Sequence, residues 1–287
     1  MNIKSSSSHK NQEPESGVLY IVGTPIGNLN DISPRALNIL KNVSLIACED
    51  TRQTKKIMSK YEFSNKLTSF NKNNSHNKTS RLIDELNSEK SVAIVSDAGM
   101  PSICDPGEEL IKNATSKGIK VICIPGPCAA TTALVSSGFP SSKFTFEGFL
   151  PRKKYEREKI LFEIGKSDKT IILYESPHRL KKLLIELREI FGGDREVKVS
   201  RELTKKFEQH IGENINEVIE YFQGRDVLGE ITIVIKGVKK NKNSEFNQFE
   251  LKKELNELVE AGLSLSQASK YLAKKNNISK SLIYNMY

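Results

Sequence analysis

Three glycine- and proline-rich stretches in the first half of the chain each follow a short run of apolar, β-branched residues. The stretches are GTPIGNLND (residues 23–31), SDAGMPSICDPG (96–107) and IPGPCAATTAL (124–134). A helical pattern begins within or after each of them. In an open α/β sheet, ligands bind in the loops beyond the carboxyl ends of the strands. Three such loops at equivalent positions therefore predict an α/β fold with one shared ligand site.

The order of strand and helix patterns predicts two α/β subdomains. In the first block, strands alternate with helices, which is typical of a mostly parallel sheet covered on both faces. These strands are expected at 18–23, 44–48, 91–96 and 120–124. In the second block the strands follow one another more closely, which favours a mixed sheet; they are expected at 144–147, 169–174, 195–200, 208–212 and 229–235. We expect the ligand cleft between the two blocks.

Helices are predicted between the strands and again after them. The first, at about 33–41, has Ser33 as its N-cap and Pro34 at its first position. Later helices are expected at 153–165, 177–189 and 214–222. Three short helices follow at the carboxyl end, where Gly262 ends the first, Ser266 caps the second and Ser279 caps the third. Apolar residues fall where helix-turn-helix packing needs them: Ala268, Leu272, Ile278, Leu282 and Ile283.

Charge is concentrated near the carboxyl end of this basic chain, whose formal net charge is +9. From residue 236 onward there are ten lysines against five glutamates. A lysine-bearing helix-turn-helix unit can enter a nucleic-acid groove, and it can equally be a helical bundle for protein contacts. Composition alone also allows a solvated basic tail.

The N-terminal sequence and the spacing of the cysteines predict the cellular compartment of the protein. Residues 1–16 are polar and serine-rich, which predicts a disordered extension without the apolar core of a secretory signal. The apolar runs are too short to span a bilayer. The four cysteines (Cys48, Cys104, Cys123 and Cys128) lack CxxC spacing, so we predict small buried residues rather than a metal or redox site. A reduced, cytoplasmic location fits this pattern.

The residues of the three loops suggest ligand contacts, although each loop alone could be structural. The first loop is neither GxGxxG nor a P-loop, so phosphate binding is weakly supported. Asp97 directly follows a strand and suits a ligand that carries hydroxyls and an amino-acid end. Asp105, before Pro106, is expected to cap the next helix instead. Small residues after Pro127 would let a flat ring pack against the backbone.

Taken together, these motifs resemble the tetrapyrrole methylase superfamily of S-adenosylmethionine-dependent methyltransferases, and within it the small-subunit ribosomal RNA methyltransferase I branch. From Gly23 to Ile235 they read GTPIGNLNDISPRAL, CEDTRQT, SDAGMPSICDPG, IPGPCAATTAL, EGFLPRK, LYESPHR, SRELTKKFE and GEITIVI. Porphyrin-type relatives have a GPGD-like stretch where this chain has residues 24–28, which favours the RNA branch. The chain departs from the branch at Met100, where threonine is common, and at residues 71–76, where an HEHNE-like segment is usual.

The resemblance implies two α/β subdomains of the tetrapyrrole methylase type with a cofactor cleft between them, followed by a small all-α helix-turn-helix-like unit. Together with the composition, it predicts a disordered extension at 1–16, the subdomains at 17–130 and 131–237, a linker at 238–249 and the helical unit at 250–287. It further implies a homodimer that uses S-adenosylmethionine to methylate the 2′-hydroxyl of a cytidine ribose in the decoding region of 16S ribosomal RNA. No metal and no membrane partner are expected.

The resemblance also implies roles for individual residues. The cofactor is expected to contact Pro25, Ser96, Asp97, Ala98, Gly99, Ser102, Cys128, Ala129, Glu175 and Leu203. Polar clusters at two strand ends, rather than the resemblance, supply the candidates for handling the proton of the acceptor hydroxyl: Glu49, Asp50, Glu202 and Lys205. These four could instead be ion pairs that position a loop or hold phosphate. Expected RNA contacts are Arg52, Arg152, Lys153, Lys154, Arg179, Arg201, Lys270, Lys274 and Lys275.

Two other functions remain open from the sequence. A small-molecule, tetrapyrrole-like methyltransferase would share the fold but has little use for a basic helix-turn-helix extension. A non-catalytic RNA-binding protein would bind RNA with strong salt dependence and would show no affinity for the cofactor.

Overall fold

The computed structural model describes residues 13–238, 248–276 and 279–287. The chain divides into two compact units, the first ending at Gly237 and the second beginning at Val238. Residues 1–12 of the expected extension, most of the expected linker, and residues 277–278, which include the predicted packing residue Ile278, lie outside the described residues. Within the expected extension, Glu13 and Glu15 are described and form ion pairs with Arg35 and Lys120. Within the described part, no helix is long and apolar enough to cross a membrane.

The first unit begins with a five-stranded, fully parallel sheet in the order β3-β2-β4-β1-β5. Its strands are β1 (Val18–Val22), β2 (Leu45–Cys48), β3 (Leu67–Ser69), β4 (Val92–Val95) and β5 (Lys120–Ile124). Its helices are α1 (Pro34–Asn42), α2 (Thr51–Lys60), α3 (Ser75–Asn87) and α4 (Glu108–Ser116). Alternate strand residues face opposite cores, so α1 and α2 cover one face while α3 and α4 cover the other. The predicted parallel sheet is confirmed.

The second sheet is mixed, with order β6-β7-β10-β8-β9. Its strands are β6 (Phe144–Phe149), β7 (Thr170–Glu175), β8 (Val197–Arg201), β9 (Gln209–Ile211) and β10 (Ile231–Ile235). Only β6 and β7 pair in parallel, and the remaining pairs are antiparallel. The helices are α5 (Ala129–Ser137), α6 (Lys154–Gly165), α7 (Pro177–Phe191) and α8 (Ile215–Phe222).

The helices of this second part cover both faces of the mixed sheet. The apolar core on one face is built with α6, α7 and α8. The opposite core joins α5 to Ile172 and Val234, and it also takes in Ile26 and Leu203. Because Ile26 follows β1 of the first sheet, this core ties the two sheets together and closes one side of the space between them.

The second unit is a three-helix cluster with its own small core. Its helices are α9 (Gln248–Glu260), α10 (Leu265–Asn276) and α11 (Lys280–Tyr284). Leu255, Ala268, Leu272 and Ile283 are buried together. Leu282 was predicted to pack there but is 48% exposed, because it lies next to Ile283 on a short helix that buries one face only.

Several predicted helix caps can be checked against the hydrogen bonds. Ser33 caps α1 by accepting from the Ala36 amide at 3.0 Å, as predicted. Ser279 caps α11 by accepting from the Leu282 amide at 3.3 Å, also as predicted. The prediction for α10 was wrong, because Ser264 and Gln267 form a capping box there and the helix begins before Ser266.

The prediction of small buried cysteines holds only in part. Cys48 is buried in β2, whereas Cys123 is exposed and both Cys104 and Cys128 are half-buried. The last two were misjudged because they line the cleft described below rather than a closed core. All four thiols are free.

Candidate functional site

A cleft of about 460 Å³ lies between the loops of the first sheet and one end of the second. The first sheet contributes residues from the loops after β1, β2, β4 and β5, and Ala129 is added by the start of α5. The second sheet contributes the end of β7, Leu203 after β8 and the start of β10. The residues that line it are Ile26, Glu49, Asp97, Ala98, Gly99, Met100, Ile103, Cys104, Asp105, Cys128, Ala129, Phe149, Tyr174, Glu175, Ser176, Pro177, Leu203, Gly229, Glu230, Ile231 and Thr232.

Each of the three glycine-rich loops contributes residues to this cleft, and the loops pack against one another. Thr24 and Gly99 exchange backbone hydrogen bonds of 2.9 and 3.1 Å, which join the first loop to the second. Gly23 lies so close to Gly126 that a Cβ on Gly23 would stand 2.7 Å from the Gly126 Cα. Contact at this distance leaves no room for a side chain, so these glycines allow the first and third loops to pack together. The loops therefore form one structural unit, as the sequence predicted.

The structure separates the ten expected cofactor residues into two groups. Seven line the cleft: Asp97, Ala98, Gly99, Cys128, Ala129, Glu175 and Leu203. Pro25 and Ser96 are buried behind it, where the Ser96 hydroxyl donates to the carbonyls of Ala98 and Gly99. The Ser102 hydroxyl is buried without a hydrogen-bond partner among the described residues. These three support the loops rather than face the cleft.

The cleft is strongly acidic. Its lining includes Glu49, Asp97, Asp105, Glu175 and Glu230, and among its lining residues there is no lysine or arginine. Burial raises the pKa values of Glu49, Asp97 and Asp105, and repulsion from neighbouring carboxylates raises them further. A cation that enters would relieve this repulsion. The lining therefore suits a positively charged ligand.

Asp105 was expected to cap α4, and that prediction was wrong. The N-cap of α4 is Gly107, whose φ of 152° turns the chain before the helix begins. No side chain caps the first turn. This turn leaves Asp105 on the cleft wall instead.

Glu175 lies deepest among the acidic residues and has unused acceptor capacity. One of its oxygens, Oε1, accepts from the Ser176 amide at 2.7 Å. The other, Oε2, is buried without a hydrogen bond, although Arg179 Nη2 stands 3.3 Å away as an ion pair. Burial raises the pKa of Glu175 despite that neighbour. Arg179 offsets part of the cost of burying this carboxylate, and Glu175 is also one of the residues that line the cleft.

An aromatic and aliphatic wall faces these carboxylates. Tyr174 makes edge-to-face contacts with Phe146 and Phe149, with ring centroids 4.9 and 5.6 Å apart. The Tyr174 hydroxyl accepts from the Ala130 amide at 3.1 Å, and burial raises its pKa. Ile26 and Leu203 continue the apolar surface. The cleft can therefore take a ligand with a flat ring at one part and cationic groups at another.

The four candidate proton-handling residues lie in different environments. Glu49 lines the cleft. Asp50 does not line it, because its side chain caps α2 at the Arg52 amide and pairs with the Arg52 guanidinium at 2.6 Å. Glu202 and Lys205 also stand outside the cleft lining and pair with each other at 2.8 Å.

Lys205 is held by two carboxylates. Its Nζ lies 2.8 Å from Glu202 Oε1 and 3.1 Å from Glu230 Oε2. Burial acts to lower the pKa of Lys205, but hydrogen bonds to both carboxylates outweigh it and the pKa is raised. An ammonium that holds its proton more tightly than an ordinary lysine is almost never deprotonated near neutral pH, so Lys205 is not available to accept a proton. The geometry thus favours the ion-pair alternative over the general base.

The expected RNA contacts likewise differ in how free they are. Arg52 is exposed although paired with Asp50. Arg152, Lys153 and Lys154 form an exposed basic loop before and at the start of α6, in which Lys153 pairs with Glu156 at 3.1 Å and Lys154 with Glu158 at 3.5 Å. Arg179 donates to the Leu150 carbonyl, and Arg201 is fixed by Gln209 and the Leu228 carbonyl. In the second unit Lys270 and Lys274 are exposed, while Lys275 pairs with Glu254.

Much of the cleft wall was not predicted from the sequence. The missed residues are mainly aromatic or apolar, such as Phe149, Tyr174 and Ile231, together with Asp105 and Glu230. Phe149 and Tyr174 lie in the motifs EGFLPRK and LYESPHR, so the motifs offered a signal, but nothing local marked those side chains as facing a ligand. Among the described residues no group of three or more His, Cys, Asp or Glu is arranged to hold a metal ion.

Comparisons with known proteins agree with this architecture. The sequence profile of the family described as Tetrapyrrole (Corrin/Porphyrin) Methylases matches residues 18–219. A Bacillus subtilis protein named Ribosomal RNA small subunit methyltransferase I is 42% identical over 281 residues, which cover 96% of each chain. A Thermotoga maritima protein of the same name is 48% identical over 221 residues, which cover 77% of this chain and 99% of that one.

Solved structures share the fold at low sequence identity. Cobalt precorrin-4 methyltransferase, described as a cobalamin biosynthetic enzyme, superposes with a TM-score of 0.59 at 16% identity. The match covers 77% of this chain and 95% of the other. It therefore supports the two-sheet fold of the first unit.

Proposed function

The chain belongs to the tetrapyrrole methylase family of methyltransferases, within the group of the ribosomal RNA small subunit methyltransferase I proteins, and on that basis we propose its reaction. It uses S-adenosylmethionine to methylate the 2′-hydroxyl of a cytidine ribose in the decoding region of 16S ribosomal RNA. The observation that carries the proposal is the acidic cleft, joined to relatives that match almost the whole chain.

The cleft residues fit S-adenosylmethionine by their chemistry. Asp97 and Glu175 line the cleft and would hold cationic or hydrogen-bond-donating groups of the cofactor. Leu203, Ala129 and Tyr174 would pack against the flat adenine ring. When bound, the cofactor would supply a methyl group on a positively charged sulfur: the acceptor oxygen would bond to the methyl carbon as the carbon–sulfur bond breaks, and the sulfur would leave as a neutral thioether.

The chain's own residues would align the acceptor and take its proton. Methyl transfer requires the 2′-oxygen to be held in line with the methyl carbon and the sulfur, and positioning supplies much of the rate. Of the four candidate proton acceptors, only Glu49 lines the cleft. Its raised pKa makes it a better base than an ordinary carboxylate. We assign the proton-accepting role to Glu49 and an anchoring role to Asp50, Glu202 and Lys205.

The partners follow from the same proposal. The substrate is 16S ribosomal RNA within the small ribosomal subunit, and the enzyme acts as a homodimer in the cytoplasm. Arg152, Lys153 and Lys154 form the exposed basic loop that follows Phe149 of the cleft wall, so they are placed to hold phosphates near the cofactor.

Methyl transfer to RNA is the direct test. We expect the protein to move radiolabelled methyl from S-adenosylmethionine to small ribosomal subunits from a strain that lacks this gene. After alkaline hydrolysis of the 16S RNA, the label should be found in dinucleotides, because a 2′-O-methyl group blocks cleavage of the adjacent phosphodiester. Subunits from the parent strain, already modified, serve as the control and should take up little label. Label found only in mononucleotides would rule out ribose methylation.

Two other functions predict different results in this assay. A small-molecule methyltransferase would bind the cofactor and leave the subunits unlabelled. A non-catalytic RNA-binding protein would bind RNA with strong salt dependence, and isothermal titration calorimetry would detect no binding of the cofactor. The shared fold with cobalt precorrin-4 methyltransferase keeps the first alternative relevant, while the near-complete match to the Bacillus subtilis relative favours RNA.

Removal of the second unit should weaken RNA binding without affecting the cofactor. We expect a chain lacking residues 241–287 to bind S-adenosylmethionine with unchanged Kd, because the cleft lies entirely in the first unit. Its kcat/KM for small subunits should fall, because Lys270 and Lys274 no longer contribute phosphate contacts. The 221 residues aligned with the Thermotoga maritima relative cover 99% of that protein, which leaves little room in it for such a unit. We therefore expect the truncation to weaken activity on small subunits rather than abolish it.

The same truncation should change the salt dependence of RNA binding. Removing one protein–phosphate interaction with a single strand reduces the slope of log K against log salt by about 0.7. A full-length Lys270→Gln, Lys274→Gln variant should reproduce much of the change, while Lys252→Gln, Lys253→Gln on α9 provides the matched control. Unchanged activity of the truncated chain on small subunits would remove the RNA-binding role from this unit.

A further inference from the structure

A second concave surface adjoins the cleft and has the opposite charge. We call it the lysine groove; it is about 710 Å³ in volume and is lined by Gly27, Asn28, Leu29, Asn30, Lys60, Thr204, Lys205 and Lys206. None of these lining residues is acidic, whereas none of the residues that line the cleft is a lysine or arginine.

The groove and the cleft share a wall that is one residue thick. Ile26 lines the cleft and Gly27 lines the groove; on the facing loop, Leu203 lines the cleft and Thr204 lines the groove. Consecutive Cα atoms are about 3.8 Å apart. An extended polymer bound in the groove would therefore pass within about one residue's length of the residues that line the cleft.

The two loops that form this wall are locked together. The Asn28 amide donates to Thr204 Oγ1 at 3.0 Å. A Cβ on Gly27 would collide with Lys205 Cγ and would stand 2.7 Å from Thr204 Oγ1, so a glycine is needed for this approach. Glu208 fixes the second loop by accepting from the Thr204 amide at 2.7 Å. These contacts hold the two loops in fixed positions, so the shape of the groove is defined by the fold.

Two of the three lysines are free to meet an anion. Lys205 is engaged by Glu202 and Glu230. Lys60 and Lys206 are exposed, and within the described part of the chain no carboxylate pairs with either of them. Lys60 ends α2 in the first half of the unit, and Lys206 follows β8 in the second half, so the positive charges come from both sides of the groove.

An exposed aromatic ring stands beside the second lysine. Phe207 is 63% exposed, and the Lys206 ammonium lies 5.6 Å from its ring centroid. Surfaces that bind single-stranded nucleic acid combine cations along the backbone with aromatic rings on which bases stack. Lys206 and Phe207 supply both within two consecutive residues.

We propose that the lysine groove binds the RNA strand that carries the target nucleotide, with Lys60 and Lys206 on its phosphates and Phe207 stacked on one of its bases. The inference rests on the proposed function and adds to it the path of the acceptor strand. The charge reversal across the shared wall supports it, because the cationic cofactor and the anionic acceptor would then meet from opposite sides. Asn28 and Asn30 provide further polar groups along the same path.

Charge reversal in the groove tests the phosphate contacts. We expect Lys60→Glu, Lys206→Glu to lower kcat/KM for small ribosomal subunits from a strain lacking this gene by at least tenfold. The slope of log K against log salt should fall by about 1.4, since each single-strand phosphate contact contributes about 0.7. The matched control is Lys112→Glu, Lys117→Glu, which changes net charge equally at exposed positions in and after α4, outside both the cleft and the groove.

Cofactor binding separates failure of this inference from failure of the proposed function. Calorimetry should give the groove variant the Kd of the wild type for S-adenosylmethionine, which also verifies that the variant is folded. A wild type that fails to label 16S RNA overturns the proposed function itself. A wild type that labels RNA while the groove variant matches the control in kcat/KM and salt slope overturns the groove alone.

The aromatic contact has its own test. We expect Phe207→Ala to reduce binding of small subunits by about tenfold, within the range typical of one base–aromatic stack. Phe207→Tyr should restore it, because a phenol ring stacks equally well. A loss equal in both variants would contradict stacking. A loss in neither would remove Phe207 from the RNA path.

Discussion

Replacing Asp97 with asparagine is expected to raise the Kd for S-adenosylmethionine by roughly ten- to a hundredfold. The expected size follows from hydrogen bonds to charged groups, which contribute about 1.5–3 kcal/mol each. Asp97 Oδ1 accepts from the Asp50 amide at 2.9 Å, and an asparagine oxygen can keep that bond. The substitution therefore removes the charge that faces a cationic cofactor while leaving the loop in place. Isothermal titration calorimetry measures the change directly.

A matched change elsewhere shows whether the effect belongs to the cleft. Asp84→Asn alters an exposed carboxylate on α3 and should leave the Kd unchanged. Asp105→Asn changes another cleft carboxylate and should weaken binding if the whole acidic lining attracts the cofactor. Near-wild-type affinity of the Asp97 variant would refute its placement as a cofactor contact.

The part of the cleft formed by the loops of the first sheet could be predicted, because short sequence motifs mark those loops. Gly23, Gly99 and Gly126 stand at strand ends within short motifs, and their close packing depends on backbone shape that the sequence encodes directly. The strand β3 was missed since it has three residues, all only half-buried. So short a run shows neither an apolar stretch nor clear alternation.

The second half of the cleft depends on contacts between distant parts of the chain. Glu175 on β7 pairs in register with Ile231 on β10, and this antiparallel register brings residues 229–232 to the cleft. No pattern of period two or 3.6 specifies which distant strands pair. The sequence therefore predicted Glu175 by resemblance and missed Glu230 and Ile231 entirely.

The role of Lys205 illustrates the same limit. Its neighbour Glu202 is three residues away and visible in the motif SRELTKKFE, which left a base and an ion pair as alternatives. Glu230 comes from 25 residues further along and completes a cluster that no local pattern predicts. The second carboxylate raises the pKa of the ammonium and favours the ion pair.

Replacing Glu186 with glutamine is expected to lower the free energy of unfolding of the first unit by about 3–5 kcal/mol, because it leaves a buried guanidinium without its counter-ion. Arg157 and Glu186 are both almost fully buried and form two hydrogen bonds of 2.6 Å. Thermal unfolding should show the loss as a fall in Tm of about 2–4 °C per kcal/mol. Chemical denaturation gives the free energy itself.

The direction of the pH dependence follows from the same pair. The hydrogen bond from Arg157 lowers the pKa of Glu186 in the folded protein, so its stabilisation is complete above the unfolded-state pKa and is lost as pH falls through the folded-state value. The stability difference between wild type and Glu186→Gln should therefore shrink on acidification. A difference that stays constant down to strongly acidic pH would contradict an ionised pair.

The Arg157–Glu186 pair also connects stability to the expected RNA contacts. Arg157 Nη1 donates to the carbonyls of Pro151 and Arg152 at 3.0 and 2.8 Å, so the pair fixes the loop that presents the basic residues 152–154. Glu163→Gln makes the same chemical change at an exposed position of α6 and should shift stability by no more than about 0.5 kcal/mol. If Glu186→Gln unfolds at the same denaturant midpoint as that control, the buried pair does not stabilise the fold. If it is destabilised as expected, kcat/KM for small subunits should fall more than cofactor affinity, because the freed loop holds phosphates while the cleft carboxylates remain in place.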